Sequence, residues 1–294
     1  MTRMKILTSV VLVALALVFG SCSSMSGPAS PVIEANRATS DQFSYEAYAA
    51  ILEAYVDERG LVDYDGLKAD RQRLDAFARV VATLDPHTYE QWNEAEKIAF
   101  WINAYNALTL EAIIAHYPIK PRFGVSLIYP KNSIRQIPGV WDKLTFEVMG
   151  RAMTLDEIEH DVLRAKFHEP RIHMALVCAA RGCPPLRNEP YVGDRLDEQL
   201  DDQARRFLSN PEKFRIDRRR GIVYLSSIFK WFGGDFVNQY GGSKRFPGHR
   251  PEQRAVLHFI SRYLDPADRE YLEKGAYKIE YLDYDWSLNE QRRQ

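Results

Sequence analysis

One stretch of this sequence decides the class of fold: Glu94-Ala-Glu-Lys-Ile-Ala-Phe-Trp-Ile-Asn-Ala-Tyr-Asn-Ala-Leu-Thr-Leu-Glu-Ala-Ile-Ile114. Its middle is apolar on every side when wound as a helix, which predicts a buried helix over Asn93 to Tyr117, ended by Pro118. Earlier segments also have helical spacing, whereas strand hairpins are predicted later, over 144–153 and 213–225. This order predicts an α+β fold with a helix-rich N-terminal half, its central helix packed on a small, mostly antiparallel sheet.

The first residues have the composition of an export signal. Arg3 and Lys5 precede an apolar run from Ile6 to Phe19, and Gly20-Ser21 then precedes Cys22. A run this short is typical of a cleaved signal peptide rather than of a membrane anchor. The position of Cys22 predicts a lipobox, so that this cysteine is lipidated after cleavage. Cleavage of an ordinary secretory signal is the alternative.

These features divide the chain into three parts. Residues 1–21 are the predicted lipoprotein signal peptide, residues 22–40 a flexible tether rich in Ser, Ala and Pro, and residues 41–294 a single globular domain. Ser23 stands where an aspartate would retain a lipoprotein in the inner membrane. We therefore expect a protein of the cell envelope, anchored by its lipid in the outer membrane and facing the periplasm.

The charge and the motifs narrow the range of partners. The formal net charge is −1, and the one basic cluster, Arg215 to Arg220, is short. Nucleic acid is therefore not an expected partner. The sequence has no phosphate loop, dinucleotide fingerprint or serine elbow, so no cofactor is expected. The expected partners are the membrane, through the lipid anchor, and an unidentified peptide or envelope component.

A second stretch holds the residues with the most chemistry: Arg171-Ile-His-Met-Ala-Leu-Val-Cys-Ala-Ala-Arg-Gly-Cys-Pro-Pro-Leu186. Its apolar run predicts a buried strand over 172–178, followed by a loop of small residues and two prolines. Reactive side chains often lie where a strand gives way to a loop. Cys183, beyond that loop, is therefore a candidate nucleophile, with Cys178 close by.

A reactive thiol needs a neighbouring base or cation, and two histidines could supply it. His173 lies on the predicted strand, and His160 on a helix predicted over Leu155 to Phe167. Glu159 falls within the apolar stripe of that helix, so it must be paired or hydrogen-bonded. It either orients a base or bonds a loop backbone. Together these residues predict a thiol-dependent hydrolase or transferase that acts on an amide, peptide or ester.

Asn103 and Asn106 lie on the buried central helix. Buried amides must satisfy both their carbonyl and their NH₂ groups. They either orient a catalytic imidazole and donate to an oxyanion, or tie the helix to adjacent loops. We keep both interpretations, with the two asparagines as candidate site residues.

Two other interpretations of the cysteines compete with the enzyme. Cys178 and Cys183 could form a disulfide, which the compartment permits, in an envelope protein that binds a partner without catalysis. A zinc site containing His173 and the two cysteines is a weaker alternative, because the spacing matches none of the common patterns. We therefore predict no metal.

Four separated motifs in order resemble those of the DUF547 family. They are Phe100-Trp-Ile-Asn-Ala-Tyr-Asn-Ala-Leu-Thr109, Leu155-Asp-Glu-Ile-Glu-His160, His173-Met-Ala-Leu-Val-Cys178 together with Gly182-Cys-Pro-Pro185, and Tyr284-Asp-Trp-Ser-Leu-Asn289. The resemblance extends from about residue 45 to 290. It implies a domain that bacteria often secrete or anchor by lipid, and a cysteine-peptidase-like fold with a Cys-His-Glu arrangement. Cys183, His160 and Glu159 are the matching positions.

Overall fold

The central helix forms over Glu94–His116 in the computed structural model, which describes residues 43–242 and 245–291. Asn93 begins it with a capping box, in which its side chain accepts the N–H of Glu96 at 3.0 Å and its N–H donates to the Glu96 carboxylate at 2.7 Å. The helix is long and apolar enough to cross a bilayer, but 89% of its most apolar window is buried inside the protein. It is therefore a core helix, as its all-round apolar pattern predicts.

Short helices surround this central helix. In chain order they and the central helix are α1 (Glu46–Tyr55), α2 (Tyr64–Ala69), α3 (Gln72–Thr83), α4 (Pro86–Glu90) and α5 (Glu94–His116). A π-helix over Glu157–Arg164 and helix α6 (Leu196–Ser209) follow later in the chain. The closest packing partners of α5 include α2, α3, α6 and this π-helix. Helices therefore bury the central helix on several sides.

The first sheet is the hairpin of β1 (Thr145–Val148) and β2 (Arg151–Thr154), which pair antiparallel. Its turn packs on the end of α3, because Met149 N–H donates to the Val81 carbonyl at 2.9 Å. The capping box predicted after the hairpin is also present. Thr154 and Glu157 exchange side chain–backbone hydrogen bonds and so begin the turn that leads into the π-helix.

The second sheet lies in the C-terminal third. It consists of β3 (Phe214–Asp217), β4 (Ile222–Ser226) and β5 (Lys278–Leu282), with β3 and β4 antiparallel and β4 and β5 parallel. The remaining helices are α7 (Ser227–Trp231), α8 (Val237–Tyr240), α9 (Pro251–Ser261) and α10 (Pro266–Lys274). The described chain is about 52% helical with two small sheets, which confirms the α+β class.

The helices and sheets divide between two hydrophobic cores. Helix α5 lies in the first core, with α1 to α3 and the β1–β2 hairpin. The three-stranded sheet lies in the second core, mainly with α9 and the segment around Phe229 and Phe236. The central helix therefore shares its core with the small antiparallel β1–β2 sheet, and the three-stranded sheet lies in the other core. A helix that is apolar all round needs cover on every side, and one sheet face supplies only one.

The strand predicted over 172–178 does not form. Residues Pro170–Met174 are a 3₁₀ helix, followed by irregular chain. The predicted burial of this segment is found, but Asn106 supplies the hydrogen bonds that a neighbouring strand would have made. Its amide donates to the Ala175 carbonyl at 3.0 Å and accepts the Val177 N–H at 2.9 Å. Buried backbone needs partners, and a side chain can provide them as well as a sheet.

The predicted signal peptide, the lipidated Cys22 and the tether lie outside the described residues. Residues from Phe43 onward form one compact unit. The division into signal peptide, tether and domain stays a prediction.

Candidate functional site

The thiol loop, residues 178–183, is held against the closing segment, residues 284–289. The N–H of Gly182 donates to the carbonyl of Asp285 at 2.7 Å. Gly182 has no room for a side chain, since a Cβ atom there would lie 2.6 Å from the ring of Tyr284. The closing segment therefore fixes the loop through backbone hydrogen bonds and through the face of one aromatic ring.

The sulfur of Cys183 is surrounded by hydrogen-bond donors. It accepts the backbone N–H of Cys178 at 3.0 Å and the hydroxyl of Tyr284 at 3.0 Å. Burial alone would raise the pKa of Cys183, but the hydrogen bonds from Cys178, Tyr284 and backbone groups lower it to about 7. A free thiol has a pKa of about 8.5. Cys183 is therefore the more acidic of the two thiols.

The neighbouring groups keep their protons. The hydrogen bond to Cys183, together with burial, raises the pKa of the Cys178 thiol well above its usual value. Burial and the nearby thiols likewise raise the pKa of Tyr284. Lys213 is buried nearby, where burial lowers the pKa of its ammonium and negative charge on either thiol would raise it. The two neutral donors thus favour a thiolate at Cys183 over one at Cys178.

His173 is held by an ion-pair network. Its Nε2 atom lies 2.8 Å from Oδ2 of Asp235, and its ring stacks on Phe232 with centroids 4.3 Å apart. Arg164 donates two hydrogen bonds to the same carboxylate, at 2.6 and 2.9 Å. Burial would raise the pKa of Asp235, but His173 and Arg164 hold it well below its usual range. The carboxylate therefore stays charged and fixes the orientation of the imidazole.

Glu159 and His160 are adjacent in the π-helix and contact different partners. Glu159 is half-buried and hydrogen-bonds to the hydroxyl of Tyr105. His160 is exposed, and its Nδ1 atom lies 2.9 Å from the guanidinium of Arg164. Glu159 therefore does not hold His160, which fits the different directions of adjacent helical side chains. Within the described residues, no hydrogen bond joins a histidine to either cysteine sulfur.

Asn103 and Asn106 tie the central helix to loops. Asn103 donates to the carbonyl of Tyr191 at 2.7 Å and accepts the N–H of the same residue at 3.0 Å. Asn106 makes the equivalent pair of bonds to the chain just before Cys178. These bonds use the carbonyl and an N–H of each amide. They favour the interpretation in which the asparagines position the loops, and Asn106 thereby places the start of the thiol loop.

A cavity of about 460 Å³ brings most of the candidate residues together. Cys178, Cys183, His160, His173 and Glu159 all line it, whereas Asn103 and Asn106 lie behind its wall. Cys183 is only 4% exposed, and it also lines a second cavity of about 640 Å³ together with Arg206 and Lys213. The remaining wall is largely aromatic and includes Trp141, Trp231, Phe232, Tyr284 and Trp286. Apolar walls with a few convergent polar groups are typical of small-molecule sites.

Three residues of this site were not identified from the sequence. Asp235 lies in an aromatic cluster, residues 229–236, and Tyr284 in the closing aromatic-acidic segment. Neither residue is among the candidates drawn from the sequence, and Arg164, which pairs with Asp235, is not among them either. The sequence signal that could identify Asp235 and Tyr284 is an acidic or hydroxyl side chain among aromatic residues, a combination that pockets often contain.

This geometry bears on the two alternative interpretations of the cysteines, the disulfide and the zinc site. Cys178 and Cys183 are both free thiols. Over the described ranges, no group of three or more His, Cys, Asp or Glu side chains is arranged to hold a metal ion. The donor set around Cys183 consists of N–H and O–H groups rather than metal ligands.

Comparison with known proteins adds one relationship. Residues 89–208 match the model of the DUF547 family, described as a protein of unknown function. This confirms the resemblance seen in the motifs, although the closing motif at 284–289 lies beyond the matched range. No curated protein and no solved structure matches the chain. The cysteine-peptidase-like fold implied by the resemblance is therefore not supported.

Proposed function

We propose that this protein, which belongs to the DUF547 family through residues 89–208, is a thiol-dependent hydrolase or acyl transferase with Cys183 as nucleophile. One observation carries the proposal. Cys183, with a pKa lowered to about 7, lines a cavity that a fixed imidazole, His173, also lines. A thiolate near neutral pH needs no separate base to activate it. The substrate class is an amide, peptide or ester.

The chemistry divides between the thiolate and its neighbours. The sulfur of Cys183 attacks the carbonyl carbon of the substrate, a C–S bond forms, and the carbonyl oxygen takes up the negative charge. When the tetrahedral intermediate collapses, the bond to the leaving group breaks and that group takes a proton from the imidazolium form of His173. Water or an acceptor amine then attacks the thioester and gives its proton to the neutral imidazole of His173, and the C–S bond breaks to return the thiolate. Asp235 stabilises the imidazolium while it carries the extra proton.

This assignment gives His173, rather than His160, the role of proton donor. His173 is 3% exposed and is fixed by Asp235 at 2.8 Å and by the Phe232 ring. His160 is exposed and bonded to Arg164. Preorganisation favours the buried, oriented ring, because orientation before reaction lowers the barrier. Glu159 then acts with Tyr105 as part of the cavity wall.

The proposal is tested by trapping an acyl group on Cys183. Treatment with nitrophenyl acetate should release one equivalent of nitrophenol rapidly and place one acetyl group on Cys183, detected by mass spectrometry of peptides. Cys183→Ala should lose both signals, and Cys178→Ala is the matched control that should retain them. If neither cysteine is acetylated, the proposal of a thiol-dependent hydrolase or acyl transferase fails. If intact mass under non-reducing conditions shows a deficit of two protons, the disulfide-stapled envelope protein replaces it.

We also propose that the protein is a lipoprotein of the cell envelope, anchored through Cys22 and facing the periplasm from the outer membrane. The support is the charged start, the apolar run and the Gly-Ser-Cys sequence at 20–22. Cys22→Ala should move the protein from the detergent phase to the aqueous phase on detergent partitioning. An unlipidated mature N-terminus in the native protein would contradict the anchor.

A further inference from the structure

Arg135 lies in a cage of aromatic rings on the wall of the cavity. Its guanidinium carbon is 4.2 Å from the ring centroid of Trp286, 5.0 Å from that of Trp141 and 5.1 Å from that of Tyr129. Stacking on three rings holds the plane of the guanidinium in place. It leaves the edge of the group, which carries the N–H donors, as the part available for hydrogen bonding.

The described residues do not satisfy this cation with an anion. The Nε atom of Arg135 is buried and has no hydrogen-bond partner among them, and Arg135 forms no ion pair with the described residues. The other arginine of the cavity region, Arg164, is in contrast paired bidentately with Asp235. A buried donor without a partner is uncommon in proteins and calls for a ligand or a function. Arg135 thus has the features of an anion-binding group without its anion.

The aromatic wall connects Arg135 to the thiol. Trp286, which stacks on the guanidinium, contacts Tyr284 with ring centroids 4.6 Å apart. The hydroxyl of Tyr284 in turn reaches the sulfur of Cys183. The rings of Trp286 and Tyr284 therefore lie between the guanidinium of Arg135 and the sulfur of Cys183, along one face of the cavity. A ligand that touched both would be extended, with several bonds between its two ends.

We propose that Arg135 binds a carboxylate of the acyl substrate, at the end of the cavity away from Cys183. The inference rests on the proposed function of Cys183 and specifies the substrate class: an acyl compound whose free carboxylate lies several bonds from the reacting carbonyl. The flat guanidinium edge matches a carboxylate through two parallel N–H···O bonds. The tryptophan faces pack the apolar part of the chain between the two ends.

The charge of the cavity favours a carboxylate over a more highly charged anion. Asp142, Asp156 and Glu159 also line it, so the formal charge of the lining is −2 when the two histidines are left out. These carboxylates repel any anion, and they repel a phosphate group with two negative charges more strongly than a carboxylate with one. The guanidinium of Arg135 can neutralise a carboxylate but not a doubly charged phosphate.

The test compares two ligands that differ only in charge. Phenylbutyrate and its neutral amide, phenylbutyramide, are added while Cys183 is alkylated with iodoacetamide. In the native protein, the carboxylate should protect Cys183 at about tenfold lower concentration than the amide, as expected for a charge-assisted bidentate contact. In Arg135→Gln the two ligands should protect equally. Arg135→Lys keeps the positive charge but loses the two parallel N–H donors of the guanidinium. It should therefore retain part of the preference for the carboxylate over the amide.

Controls separate this inference from the proposed function. The exposed arginine Arg219, changed to Gln, should leave the preference of the native protein intact. Quenching of tryptophan fluorescence by the same two ligands reads binding at Trp141 and Trp286 without using the thiol. If Cys183 resists alkylation, the proposed function fails, and the fluorescence titration still decides the anion site. Equal binding of the two ligands to the native protein, or a preference that survives in both Arg135 variants, overturns the assignment.

Discussion

The hydroxyl of Tyr284 lies 3.0 Å from the sulfur of Cys183, and the two residues are 101 positions apart in the sequence. This contact joins the closing segment of the chain to the thiol loop. It supplies one of the hydrogen bonds that lower the pKa of Cys183 to about 7. The closing segment therefore contributes directly to the acidity of the nucleophile.

Removing the Tyr284 hydroxyl should make the thiol less acidic. In Tyr284→Phe, we expect the pKa of Cys183 to rise by about one to two pH units, because a hydrogen bond to a charged acceptor contributes about 1.5–3 kcal/mol. The measurement is the rate of iodoacetamide alkylation against pH. Tyr281→Phe, in the same segment, is the matched control. A midpoint that does not move in Tyr284→Phe would show that the hydroxyl does not stabilise the thiolate.

A single methyl group at Gly182 should disturb the same contact. Its Cβ would lie 2.6 Å from the Tyr284 ring, whereas nothing lies within 4 Å of a Cβ at Gly234. We expect Gly182→Ala to lower the free energy of unfolding by about 1–3 kcal/mol through overpacking and to slow alkylation of Cys183 near neutral pH. Gly234→Ala should change neither. Equal stability of the two variants in urea denaturation would contradict this packing.

Asn106 should matter for stability more than a surface amide does. Asn106→Ala leaves the Ala175 carbonyl and the Val177 N–H without their partners, which costs about 2–4 kcal/mol when both are buried. Chemical denaturation measures this loss, and the exposed Asn188→Ala provides the control. Should Asn106→Ala unfold at the same denaturant concentration as the native protein, the amide is not what replaces the missing strand.

The ion pairs of Asp235 should make stability depend on acid pH. Because the folded-state pKa of Asp235 lies below its unfolded value of about 3.9, the charged carboxylate stabilises the fold above that pH. This contribution is lost as the pH falls toward the folded-state pKa. Asp235→Asn should lose about 1–3 kcal/mol at about pH 7 and show a flatter stability curve below about pH 4. Parallel curves for the variant and the native protein would contradict the linkage.

Local patterns predicted the elements that depend on nearby residues. The all-round apolar run gave the bounds of α5 to within about a residue at each end, and the Thr154–Glu157 spacing gave the capping box. Both patterns depend on interactions within one short segment.

Long-range contacts account for what the sequence did not predict. The strand at 172–178 was wrong because an amide on α5, 71 residues away from Val177, takes the place of a neighbouring strand. Asp235 lies 62 residues from His173, and no local pattern relates the two. The π-helix also turns less per residue than an α-helix, so an α-helical projection does not predict the pairing of Arg164 with Asp235.

The acidity of Cys183 is the most direct test of the account. Iodoacetamide alkylation of the reduced native protein, followed peptide by peptide across pH, measures each thiol separately. We predict a midpoint of about 7 for Cys183, with Cys178 reacting only at much higher pH. A midpoint for Cys183 at or above the ordinary value of about 8.5, or a more acidic Cys178, would contradict it.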